Sequence, residues 1–108
     1  MINIEERDKM IGILCSISDQ QFDAAAKKRL SAMIGRPNED IKDELLGLID
    51  DCVYYSWSGG FEITTLRIIW EEIGGSPEEL QARNRALNDP NKREELKTKY
   101  KWQRAEYY

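Results

Sequence analysis

The chain contains no histidine in 108 residues. That absence removes the usual general base, the usual zinc ligand and every Ser–His or Cys–His nucleophile pair. Cysteine is scarce as well: Cys15 and Cys52 each lie within an apolar run and read as small core hydrophobes, not as a disulfide framework or a metal site. With only three prolines and seven glycines, most of the chain is free of helix breakers. No apolar stretch approaches the roughly 20 residues that span a bilayer, and the acidic start, Met1 to Asp8, lacks the basic region of a signal peptide. The expectation is a soluble, cytoplasmic protein. A length of 108 residues suits one small domain with its own core.

The breakers that are present punctuate helices. Asn3 with Glu6 is a capping pair for a first helix, whose apolar stripe is Ile4, Ile11, Leu14 and Ile17. Ser18 to Gln21 reads as a capping box for a second helix, stapled by Ile17 and Phe22 and stopped at Gly35 before Pro37. A third helix begins near Asn38, carries Ile41, Leu45, Leu48 and Cys52 inward, and ends around Tyr55. Residues 61–70 are rich in β-formers, but a strand would place Arg67 on the side of Phe61, Ile63 and Ile69. A helix aligns Ile63, Leu66, Trp70 and Ile73 and stops at Gly74-Gly75, so helix is preferred. Ser76-Pro77-Glu78-Glu79 starts a fifth helix, and Asp89-Pro90 breaks it to begin a sixth that runs toward Trp102. Leu80, Leu87, Leu96 and Tyr100 are the sparse apolar anchors of this last stretch. The predicted fold is all-α: a small four-helix core over residues 1–75, and a charged extension of one or two helices over 76–108.

A formal charge of −4 conceals a separation of sign. Residues 37–79 hold two basic residues against eleven acidic ones, a net charge of −9, whereas residues 91–104 hold six basic against two acidic, a net +4. At about 100° per residue, the third helix places Asp40, Asp43, Glu44, Asp50 and Asp51 away from its apolar stripe. Gly47 leaves a bare spot among them, and Tyr54, Tyr55 and Trp57 follow at the helix end. Aromatics beside carboxylates fit a binding surface, because Tyr and Trp anchor interfaces at small entropic cost. Asp40, Asp43, Glu44, Asp50, Asp51, Tyr54, Tyr55 and Trp57 are therefore the candidate contacts for a basic protein. Lys97, Lys99, Tyr100, Lys101 and Trp102 form a secondary basic and aromatic surface of the kind that tracks phosphates and stacks on bases. Helices two and three around Gly35 superficially suggest a helix-turn-helix, but the helix that would enter the major groove is the acidic third one, which phosphate repels, so direct nucleic-acid binding is not expected.

No catalytic, cofactor or metal residues are assigned. Adjacent acids such as Asp50-Asp51 and Glu71-Glu72 diverge by about 100° on a helix, and the Gly pairs at 59–60 and 74–75 are too short for a phosphate loop.

The stretch Asp51-Cys52-Val53-Tyr54-Tyr55 resembles the third-helix motif of the colicin DNase immunity proteins, small acidic four-helix proteins that bind and block a basic nuclease. The resemblance implies contact roles for Asp51, Tyr54 and Tyr55. The chain departs from that family in having Ser56 where the family has proline, a long third helix and a charged tail. Together these readings predict an inhibitor that occludes a basic nuclease or nucleic-acid-binding protein. The alternatives are an assembly adaptor that forms homo-oligomers through its C-terminal helix, and a tail-mediated nucleic-acid binder.

Overall fold

The structure, a computed structural model, describes residues 2–87, with side chains through Arg85. It contains five helices: α1 (Ile4–Cys15), α2 (Ala24–Ser31), α3 (Asn38–Tyr54), α4 (Gly60–Glu72) and α5 (Pro77–Leu87). The segment with mixed signals is helical, as its apolar stripe requires: Leu66, Ile69, Trp70 and Ile73 are buried, because helical spacing gathers them where a strand would split them. The predicted sixth helix, with Leu96, lies outside the described residues, as do Lys97, Lys99, Tyr100, Lys101 and Trp102.

α3 is the central element and packs on α2, α4 and α5, while α1 packs on α2 and α4. This placement explains its burial pattern. Leu48, Ile49, Asp50, Asp51 and Cys52 are consecutive and all buried, which no helix with one solvent face can show.

The caps follow the sequence with two corrections, at the start of α2 and at its end, which falls at Ser31 with Ala32 as the cap, four residues before the expected stop at Gly35. The Asn3 side chain accepts from the Glu6 amide at 2.8 Å and donates to the Glu6 carboxylate at 3.3 Å, a reciprocal capping pair. Ser76 accepts from the Glu79 amide at the start of α5. Ser18 starts no helix. Its carbonyl accepts from Gln21 and Phe22 in a turn, and the Asp23 side chain caps α2 through the Ala25 amide at 2.8 Å. The start is delayed because the loop between α3 and α4 claims the intervening backbone. Phe22 pairs with Ser58 in an isolated antiparallel bridge, and Asp23 donates its amide to the Trp57 carbonyl at 2.8 Å.

Three glycines are required by geometry, one of them Gly74 after α4, at φ +109°. Gly35, at φ +81°, makes the turn after α2. Gly75 lies against the Trp70 ring, where an added Cβ would fall 2.1 Å from a ring carbon. The same indole donates Nε1–H to the Lys42 carbonyl of α3 at 3.1 Å, which fixes the junction of α4 and α5 on α3.

Candidate protein-binding surface

The eight residues expected to form one surface separate into three groups. Asp40 and Asp43 are exposed on the first half of α3. Glu44 is also exposed and is held by a forked contact from Arg36, at 2.8 and 3.0 Å. That contact raises the Arg36 pKa above its ordinary value, chiefly through the hydrogen bond to Glu44.

Asp50 and Asp51 are not on a solvent face; they are 1% and 0% exposed. Asp50 is paired with Arg83 of α5, and Asp51 with Arg29 of α2. Successive residues on α3 point about 100° apart, so each carboxylate meets the helix on its own side. The bare spot expected at Gly47 is taken up in the same way, with an Arg29 guanidinium nitrogen 3.9 Å from where a Cβ would stand. Wheel geometry does separate these acids from Ile41 and Leu45, but the opposite side of α3 faces other helices.

The aromatic residues close the far end of α3. Trp57 is 5% exposed and belongs to the core, while Tyr54 and Tyr55 are half-buried. Tyr55 stacks on Trp57 with ring centres 5.4 Å apart and meets Tyr54 edge-on at 4.7 Å. Ser56, at φ +55°, makes the sharp turn that folds Trp57 inward. Two of the three aromatics thus keep partial exposure, and the Trp roofs the interior.

Sequence reasoning missed the cations that meet these acids. Those are Arg83 and Arg29, and a further cation, Arg7, is fully buried on α1. Its guanidinium donates to Asp8 at 2.9 Å, to the Asn38 side chain at 2.6 Å and to the Met33 carbonyl at 3.3 Å. The signal was present, since Arg7 occupies the stripe position between Ile4 and Ile11. Ile4, by contrast, stays exposed.

A different group of acids is brought together by the ends of three helices. The Ile2 amide donates to the Glu72 carbonyl at 3.0 Å, and the Asn38 side chain donates to the Ile2 carbonyl at 3.2 Å. The first turns of α1 and α3 therefore meet the last turn of α4. Glu5, Glu6, Glu39, Asp40, Glu71 and Glu72 are exposed at this end of the molecule. In the first turns of α1 and α3 the acids complement the helix dipole; in the last turn of α4 Glu71 and Glu72 oppose it, with no basic residue in that turn.

Among the described residues no group of three Cys, Asp or Glu side chains could hold a metal ion, and no helix is long and apolar enough to cross a membrane. An open cleft of about 440 Å³ between the loops before α2 and α4 includes Gln21, Ser58, Phe61 and Glu62 in its wall. Glu62 is 6% exposed and folds back toward Gly59 at the start of α4, its Oε2 3.0 Å from where a Cβ added at Gly59 would stand. No family model, curated protein or solved structure matches the chain.

Proposed function

We propose that this protein is a small acidic inhibitor of the immunity type, which binds a basic protein and occludes its working surface. The reading assumes that α1 to α4 act as the core and the charged stretch from Ser76 as its extension. The observation that carries it is the acidic end, where the neighbouring ends of α1, α3 and α4 bear six exposed acids, two of which, Glu71 and Glu72, oppose the dipole of their own helix. Residues set against local stability mark sites kept for another purpose. Such a field steers a basic partner into encounter and raises its association rate. Asp40 and Asp43 extend the field along α3, and Tyr54 and Tyr55, as the resemblance implies, would add contact area at the other end of that helix.

The partner class is a basic nuclease or another nucleic-acid-binding protein, whose phosphate-binding surface the acids would cover. The experiment is co-purification of the tagged full chain from its native host at low and high salt. It is paired with charge reversal at Glu39, Asp40, Glu71 and Glu72, none of which is buried. A basic protein retained by the wild type at low salt, and lost in the reversed variant, supports the reading. Retention that is indifferent to both salt and reversal overturns it. Asp50 and Asp51 are unsuitable for this test, since changing them breaks internal ion pairs.

A further inference from the structure

Among the described residues, five large apolar side chains remain exposed, and four of them lie on the adjacent helices α1 and α4: Ile4, Ile13, Phe61 and Ile68. On α4 they form a row. Phe61 is 57% and Ile68 45% exposed, and seven residues bring the second to within about 20° of the first, about 10 Å further along the axis. Thr64 lies exposed beside them, and Glu72 continues the row one turn beyond Ile68, with Glu71 next to it. Arg67, the one cation of α4, is not part of this row; its guanidinium donates to Asn84 of α5 at 3.0 Å. The outer face of α4 is thus an apolar row that runs into two carboxylates and contains no positive charge.

Single exposed apolar residues need no explanation. An aligned pair that ends in acids set against the helix dipole has a definite complement: a helix with an apolar row of its own, flanked by lysine or arginine. We propose that the outer face of α4 docks an amphipathic basic helix of the partner. Phe61 and Ile68 are its apolar anchors, and Glu71 and Glu72 hold its cations. The proposal rests on the reading that the chain binds a basic protein, and it adds where and in what form that partner sits.

The test uses the full chain and two synthetic peptides of equal charge: a 14-residue amphipathic Leu/Lys helix, and a control with every Leu changed to Ser. Binding is read by fluorescence anisotropy at low salt, and contacts are read by amide chemical shifts. The expected result is binding of the Leu/Lys peptide about tenfold tighter than the control, with shifts centred on Phe61, Thr64 and Ile68. Phe61→Ser with Ile68→Ser should bring the two peptides to equal affinity while leaving the weaker, charge-driven binding. Equal affinity for wild type, or a preference that survives the double variant, overturns the α4 site but leaves the acidic reading standing. Failure of both peptides to bind removes that reading and the inference with it. A wild-type dimer in sedimentation that dissociates on the double substitution assigns the face to a second copy and also overturns the proposal. Should the double variant fail to fold, the chemical-shift map of the wild type decides.

Discussion

Arg83 of α5 donates its guanidinium to the carboxylate of Asp50 on α3, with the two side chains 10% and 1% exposed. One residue on, Asp51 meets Arg29 of α2. Two consecutive acids thus tie the central helix to the helices on either side. Burying a charge is costly unless it is paired, and removing one partner of a buried pair costs far more than the pair contributes. Asp50→Ala should therefore lower unfolding stability by about 3–5 kcal/mol. Asp50→Leu combined with Arg83→Met should recover at least half of that loss. Urea titrations of the single and double variants measure both, and a single variant within experimental error of wild type would show that the pair does not hold α5 in place.

Gly75 sits where no side chain fits. A Cβ there would overlap the Trp70 ring, and that ring is anchored through Lys42 and nearly fully buried. Gly75→Ala should destabilise the fold by about 3 kcal/mol through overpacking and should shift the tryptophan fluorescence. Gly12→Ala is the matched control. Its added Cβ meets nothing within 4 Å, and alanine favours a helix interior over glycine by up to about 1 kcal/mol, so that variant should melt higher.

Arg7 depends on the shape of its charged group as well as on its charge. Its guanidinium donates to Asp8 beside it on α1 and links α1 to Asn38 at the start of α3 and to the Met33 carbonyl after α2. In Arg7→Lys the three donors sit on one nitrogen and cannot span acceptors that the planar guanidinium meets from separate nitrogens. The substitution should destabilise by about 2 kcal/mol or more, as loss of hydrogen bonds to a buried charged group does. Thermal melts compare the two proteins, and equal stability of Arg7→Lys and wild type would show that charge alone is enough at this position.

The thiols report burial. Burial pushes the Cys52 thiol up to about 12, with the Asp51 carboxylate adding to the rise, and burial also raises Cys15, against the attraction of Lys27. An unfolded thiol titrates near 8.5. Between that value and about 12, the native state keeps a proton on Cys52 that the unfolded state has lost, so stability falls as pH rises through this window. In the native protein iodoacetamide should modify Cys15 first and reach Cys52 only on unfolding, which mass spectrometry of the alkylated peptides resolves. Rapid native alkylation of Cys52 would contradict its burial.

Much of the helical plan was legible from local signals. Asn3 and Glu6 cap α1, Gly35 turns the chain before Pro37, and Ser76 starts α5, because each of these depends on groups within a few residues. The start of α2 was not legible, since the loop carrying Trp57 and Ser58 competes for the backbone of Phe22 and Asp23 from far along the chain. The candidate site was legible only in part. Exposed Asp40 and Asp43, and the acids at 71 and 72, are visible as charge, whereas the burial of Asp50 and Asp51 depends on Arg83 and Arg29, which no spacing rule links to them.

By itself, then, the sequence determined the helical class, most helix boundaries and the separation of charge, because periodicity and capping act over one or two turns. Only the tertiary structure decided which charges face solvent. α3 is enclosed by α2, α4 and α5, so a side that reads as polar on a wheel becomes an interior seam wherever a neighbouring arginine can pair with it. Among the acids left outside, those in the first turns of α1 and α3 and the last turn of α4 are carried to one end of the molecule by the contacts of Ile2 with Glu72 and Asn38.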